Sequence, residues 1–465
     1  MWINEGRQVA PTCPSVTSAD EIRLSIDSAD FVSYIRATKT ILCLEAPSMI
    51  KKYKFINFQS YLNECEVDFS VNKRAPHSYY DYELLDGSKI AKVMAVMGAN
   101  GAGKSNLLKP LSFLSWFIPD SFGFADQREG IFILPHAKTS KNNTVIELSF
   151  VLPRTKEHND EVEYKYYIEL NSEYIVEESL KLKTSRLYSN VISRKLIDNK
   201  KFKYKVSKSK KYGSSLDERI LEKAPRNCSI FSFIDNLLSE EEKDDVENSV
   251  LLLPIYYFRT NRSNIQAIGK KNISDNLDQS IEFYKNNPDD FKKIKDLLIK
   301  YDLGIEDITL EERLLMNSET GQEENATIPM FTHECEKGSF KIPIFMESSG
   351  TKSAFCILAF IMETLTTGGV AILDEFDNDL HPHLTVEIIN LFKSQSKNHM
   401  NAQLLFNTHS PEVLKSLRMQ HCYLVEKRNG ISSAYRADDV EGLLARDNLY
   451  AKYVSGSLGA VPNFD

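Results

Sequence analysis

The residues Gly98-Ala99-Asn100-Gly101-Ala102-Gly103-Lys104-Ser105 follow the spacing G-x-x-x-x-G-K-[ST]. In such a loop the backbone turns its N–H groups inward around a phosphate. Glycines permit the turn, and the helix that follows adds its partial positive charge. Lys104 is placed to reach the β- and γ-phosphates, Ser105 to give its hydroxyl to Mg²⁺, and Asn106 belongs with the loop as a nucleotide contact. A second candidate is Val370-Ala371-Ile372-Leu373-Asp374-Glu375, an apolar run that ends in two carboxylates. Alone it reads as an ordinary strand end. Paired with the phosphate loop, Asp374 suits the Mg²⁺ shell and Glu375 suits the general base that polarises an attacking water. His409 in "LLFNTHSPEVL" is a third. A lone histidine is usually structural, but its place one strand after the acidic pair points to the γ-phosphate. A fourth is Ser348-Ser349-Gly350-Thr351, just before an apolar helix. It is a plain helix cap by composition, and also a second anion site of hydroxyls and first-turn N–H groups.

These groups need elements to hold them. "KIAKVMAVMG" reads as a buried strand that delivers the loop, and 104–118 as the helix after it, with Pro110 inside. "GGVAILDE" and "AQLLFNTHS" read as two further buried strands with polar ends, which puts charge at one edge of a sheet, where ligands of open α/β folds bind. Partial alternation over 50–69 predicts an antiparallel strand pair, and alternating segments over 144–206 predict a β-rich unit. From 214 to about 302 the pattern turns helical. Asn287-Pro288 opens one helix there, and its apolar residues share one face before Gly304.

Composition bounds the rest. Hydrophobic content of 42% and charged content of 26% fit a globular chain. The net charge of −8 argues against coating nucleic acid with the whole surface. Seven scattered cysteines without a C-x-x-C pair fit reduced structural thiols. No apolar run is long enough to span a membrane, and "MWINEGRQVAPTC" lacks the order of a signal peptide, so a cytoplasmic location is expected. The expected division is an N-terminal extension at 1–48, a first lobe with the phosphate loop at 49–153, an insertion at 154–340 and a second lobe at 341–465.

In this order the motifs resemble ATP-binding-cassette ATPases of the SMC/RecF type: Walker A at 98–105, "SSGTKS" as signature, Walker B at 370–375, "FDNDLHPHL" as D-loop region and His409 as switch histidine. More narrowly, "KYKFINFQSYLNE", "IKYDLGIEDI", "MESSGTKSA", "LDEFDNDLHPHL" and the tail "KYVSGSLGAVPNF" are similar to ATPases of bacterial anti-phage and abortive-infection operons. RloA-like and AbiLi-like proteins are nearest, with the ATPases of PARIS, Septu and retron systems more distant. Ser457 and Leu458 depart from the tail, standing where the family has arginine and tyrosine. Gln127 is a weak candidate for the Q-loop glutamine.

The resemblance implies an α/β fold, an ABC-type (SMC/RecF-like) P-loop NTPase head split by a β-rich and helical insertion. It also implies ATP and Mg²⁺ as cofactors, with Lys104, Glu375 and His409 catalytic and Ser105 and Asp374 on the metal. Two copies would close head to tail, with Ser348, Ser349 and Gly350 of one against the phosphate loop Gly98–Ser105 of the other. ATP-driven dimerisation would then control a separate nuclease or toxin. The alternative is a RecF/SMC-like ATPase of DNA repair or recombination. A self-contained nuclease of the overcoming-lysogenization-defect kind is disfavoured by the short segment after His409, and a transporter by the large insertion.

The insertion shows no sustained heptads, which argues against long coiled-coil arms. Within it "RKLIDNKKFKYKVSKSKK" (194–211) gathers lysines and arginines around Phe202 and Tyr204, a composition suited either to a nucleic-acid backbone or to a solvated hairpin rim.

Overall fold

The computed structural model describes residues 47–460, apart from 126–129, 156–157, 184, 213–215, 246–248, 268, 271–272, 302–303, 317–322, 337 and 378–379. All but the last two residues of the expected 1–48 extension, and also Gln127, therefore lie outside the described residues.

In chain order the elements that matter are β1 (Met49–Ile56), β2 (Cys65–Asp68), β3 (Val93–Gly98), α1 (Lys104–Asp120), β4 (Thr144–Thr155), β5 (His158–Leu170), β6 (Ile175–Lys183), β7 (Tyr188–Asp198) and β8 (Lys203–Lys208). There follow α2 (Ser249–Arg259), β9 (Arg262–Ser263), α3 (Ile273–Asn286), α4 (Pro288–Tyr301), β10 (Ile305–Met316), β11 (Glu323–Cys335), β12 (Gly338–Pro343) and α5 (Ser349–Thr367). The chain closes with β13 (Val370–Leu373), α6 (Pro382–Leu391), β14 (Gln403–Asn407), β15 (Cys422–Arg428), β16 (Ile431–Arg436) and α7 (Leu449–Val454).

The central sheet runs β9-β13-β14-β3-β15-β16. Every neighbouring pair is parallel except β15–β16. Strands buried on both faces are apolar nearly throughout, and the "VMAVM", "VAIL" and "LLF" runs are so for that reason. Alternate side chains serve two cores. Met94, Val96, Ile372, Leu405 and Val425 join β1, α1 and α2 on one face. Val93, Ala95, Met97, Leu373, Phe406 and Leu424 join α5 and α6 on the other. Such a sheet sends the ends of β3, β13 and β14 to one edge.

The second sheet is antiparallel, in the order β8-β7-β6-β5-β4-β1-β2. Gln403 ties the two sheets together. Its Oε1 accepts from Ile50 N at 2.6 Å, and its Nε2 donates to the carbonyls of Ile50 and Ala91, each at 3.0 Å. The expected boundary between 153 and 154 falls inside β4, which pairs with β1 on one side and β5 on the other. The strands expected as a separate β unit therefore extend the sheet of the first lobe. The insertion also returns to the centre, because Arg262 pairs with Ala371 as the β9 edge.

A further correction concerns 305–343, expected to lie in a helical subdomain or left unassigned. It forms a three-stranded antiparallel sheet, β10-β11-β12. Among the described side chains of β10 only Ile305 and Ile308 are buried, so its apolar period is too sparse to show in the sequence.

The outer sheet is pinned from within. Glu178 of β6, fully buried, accepts from Ser229 Oγ at 2.6 Å, Ile230 N at 2.9 Å and Tyr166 Oη at 2.8 Å. Arg194 of β7, also fully buried, donates to the carbonyls of Cys228, Ala224 and Pro225 and lies 3.9 Å over the Tyr204 ring. Two charged residues thus hold the chain from 224 to 230 against the sheet.

Candidate nucleotide site

β3 delivers the phosphate loop to the sheet edge, and α1 leaves from it. At Gly98 a Cβ would stand 2.4 Å from the Val425 carbonyl, so the close pairing of β3 with β15 admits only glycine. Gly103, at φ 113, precedes α1, and no side chain caps that helix. The loop is clasped from beneath: Tyr61 Oη donates to the Gly103 carbonyl at 3.2 Å and Ser432 Oγ to the Ala102 carbonyl at 2.6 Å.

Lys104 is buried, and its Nζ donates to the carbonyls of Gly98 at 2.9 Å and Ala99 at 3.1 Å. Burial lowers its pKa, while Asp374, Glu375 and Asp377 oppose the fall. Those carboxylates therefore face the loop, as the motif pairing requires. Burial lowers Lys109 too, against the charge of Asp374. Asn106 turns toward the β1–β2 connection instead: its Nδ2 donates to Ser60 Oγ at 2.9 Å.

Asn407, at the end of β14 and fully buried, joins the two halves of the site. Its Nδ2 donates to Asp374 Oδ1 at 2.5 Å and lies 3.5 Å from Ser105 Oγ. Its Oδ1 accepts from Glu375 N. Asn264, just past β9, locks the same strand end, accepting from Asp374 N at 2.8 Å and donating to the Asp374 carbonyl at 3.0 Å. Glu375 is held in the left-handed region at φ 49, uncommon for a residue with a side chain. Asp377 accepts from His409 N, 3.3 Å from either carboxylate oxygen, and from Ser410 N at 3.0 Å, which ties the D-loop region to the histidine segment. The His409 side chain is exposed.

A hydroxyl and a carboxylate held by one amide are hard oxygen donors of the kind Mg²⁺ takes alongside nucleotide phosphates and water. The donor set fits that ion at Ser105 and Asp374. Among the described residues no group of three or more His, Cys, Asp or Glu side chains is arranged for a metal.

The fourth motif lies elsewhere. Ser348 caps α5: its Oγ accepts from Thr351 N at 3.1 Å and bonds Thr351 Oγ1 at 2.8 Å. Ser348 and Ser349 are exposed. Among the described residues, nothing in 348–350 hydrogen-bonds to the phosphate loop. The structure thus shows the helix cap that is one of the two readings of this segment.

Three residues were missed in the sequence: Asn407, Asn264 and Tyr453. Asn407 carried a faint signal, a polar residue closing an apolar run. Tyr453 on α7 stands near the Gly98 backbone, whose N–H partly offsets the rise that burial gives its pKa, so α7 lies against the phosphate loop.

The basic run at 194–211 is corrected in part. Arg194 and Tyr204 are buried, and Lys195 pairs with Glu177 at 3.0 Å. Lys200, Lys201, Lys203 and Lys205 remain exposed along the edge strand β8 and its turn. Lysines there also guard an open sheet edge.

Residues 93–415 match the family described as "AAA domain, putative AbiEii toxin, Type IV TA system". The chain belongs to this family. No curated protein matches it. Among solved structures it is similar to the SMC head domain from Thermotoga maritima, at 14% identity and a TM-score of 0.36, over 83% of this chain and 98% of that one. It is also similar to an Smc head domain with an extended coiled coil, bound to the C-terminal domain of ScpA, derived from Pyrococcus furiosus. That likeness has 12% identity and a TM-score of 0.38, over 84% of this chain and 97% of that one. This AAA-family chain has a mixed α/β fold whose central sheet carries the phosphate loop, and no described helix is long and apolar enough to cross a membrane.

Proposed function

We propose that the chain is the ATP-hydrolysing switch of a bacterial anti-phage defence system, working as a head-to-tail pair of identical subunits. In this reading Lys104 and the loop N–H groups hold the β- and γ-phosphates. Ser105 and Asp374 hold Mg²⁺, which offsets the charge that builds during phosphoryl transfer. Glu375, its backbone fixed by Asn407, orients and deprotonates the attacking water. His409 reaches the γ-phosphate, and Ser348–Gly350 of the second subunit covers its far side.

One observation carries the pairing. The phosphate loop and both carboxylates converge within one chain, whereas Ser348 and Ser349 stand exposed at a helix N-terminus beside Phe345 and Met346, 56% and 70% exposed. Large apolar side chains left in water beside a polar loop mark an interaction surface. The defence role is supported by the wording of the motifs and by the family, whose description names a toxin of a toxin–antitoxin system. A nuclease or toxin on a separate chain would be the effector released or held by the ATP-bound pair.

The test mixes two inactive variants. Ser348→Arg keeps its phosphate loop, and Lys104→Ala keeps its signature. Each alone is expected to bind as its intact part allows and to hydrolyse nothing. In an equimolar mixture half the pairs are mixed, each with one good site of two, so about a quarter of wild-type hydrolysis returns. No recovery on mixing would overturn the shared site.

A further inference from the structure

A cleft of about 580 Å³ opens between the loop Asn72–Pro76, the segment Leu414–Gln420 and residues 445–449. It shares no residue with the nucleotide site. Buried Leu414, Leu417 and Leu449 give it an apolar floor. Its volume is that of a pocket for a small organic molecule.

The polar groups around it are unequal in what they still offer. Asp438 is taken by Arg436, at 2.6 and 3.1 Å. Asp447 accepts from Leu444 N at 3.0 Å, with Lys452 Nζ at 3.9 Å. Lys415 pairs with Glu412 and lies 4.6 Å over the Tyr450 ring. Asn448 caps α7, accepting from Ala451 N at 3.0 Å. Arg74 and Arg418 remain: both are exposed at the cleft, and neither forms an ion pair with a described residue. Gln420 lines the cleft at only 4% exposure, and its Nε2 has no hydrogen-bond partner among the described residues. A buried amide N–H without an acceptor is costly, so such a group calls for a partner.

What is left over is chiefly donor, two guanidinium forks and one amide, beside one carboxylate oxygen of Asp447. Guanidinium groups bind carboxylate or phosphate through paired N–H bonds. We propose that this cleft binds a small anionic molecule, its phosphate or carboxylate held by Arg74 and Arg418 and a neutral acceptor oxygen met by Gln420. The walls also touch the nucleotide site at two removes. Leu414 and Lys415 lie in the turn that follows His409 and Ser410, and Leu449 begins the helix that carries Tyr453 to Gly98.

The phosphate loop is itself an anion site, so the experiment uses full-length protein carrying Lys104→Ala. Calorimetric titration with inorganic pyrophosphate and, separately, with citrate distinguishes the two anion chemistries. One site per chain is expected for at least one of them. Adding Arg74→Ala and Arg418→Ala should weaken it by tenfold or more. Both substitutions are at the surface, so folding is unaffected. Gln420→Leu should weaken it several-fold while leaving thermal stability unchanged or raised, since it removes the orphan donor. Absence of millimolar binding by both anions, or binding unchanged in the double arginine variant, overturns the proposal.

Discussion

Asn407→Ala removes the group that joins the two halves of the nucleotide site, and its cost follows from the structure. The fully buried side chain makes a charge-assisted bond to Asp374 at 2.5 Å, a bond to Glu375 N and a long contact to Ser105 Oγ at 3.5 Å. A bond to a charged group contributes roughly 1.5–3 kcal/mol, a neutral one about 1, and a contact at the distance limit very little. The expected loss is about 3 kcal/mol of local stability, and Asp374 is left without this donor in a buried place. Hydrolysis should then need more Mg²⁺, because the metal must orient Asp374 without the amide. Asn407→Asp keeps the shape and sets a second carboxylate beside Asp374. Its thermal midpoint should fall without Mg²⁺ and recover with it. The assays are thermal unfolding with and without Mg²⁺, and hydrolysis against Mg²⁺ concentration. If Asn407→Ala melts with the wild type and keeps its Mg²⁺ curve, the account of this residue is wrong.

Glu375→Gln should abolish turnover, keep ATP binding and trap the paired form during size-exclusion chromatography; unchanged hydrolysis would refute its role as base. Burial raises the Glu178 carboxyl above its ordinary value despite its hydrogen bonds. A group whose folded pKa is raised contributes stability at acid pH and loses it as pH rises through that pKa. The unfolding midpoint of the wild type relative to Glu178→Gln should therefore fall as pH rises above the ordinary glutamate range, and a flat or rising difference would contradict this. Replacing Lys200, Lys201, Lys203 and Lys205 by glutamate should weaken any nucleic-acid binding and flatten its salt dependence. If the wild type binds none at low salt, the lysines serve only to guard the sheet edge.

The parts of this molecule that were legible in its sequence are those where local pattern and chemistry coincide. The buried strands at 93–98, 370–373 and 403–407, and the helix from Lys104, are written as continuous apolar runs or fixed spacings. Asn264 was illegible because its task, bonding both backbone groups of Asp374, depends on a strand pairing between distant segments. The same holds for the extent of the first lobe. Nothing local says that β5 to β8 continue the sheet of β1, since an antiparallel strand pairs equally well in either setting. In 194–211 composition misled for a physical reason. A charged side chain can be buried when carbonyls and an aromatic face receive it, as they receive Arg194.

The left-handed backbone at Glu375 has an evolutionary side. A side chain there strains the chain by about 1–2 kcal/mol, which glycine would relieve. Glu375→Gly should thus yield a protein that is inert as an ATPase and harder to unfold. Selection for robustness and selection for turnover pull this one position in opposite directions. A lineage freed from the need to hydrolyse ATP should drift toward glycine or asparagine here before any other residue of the site changes.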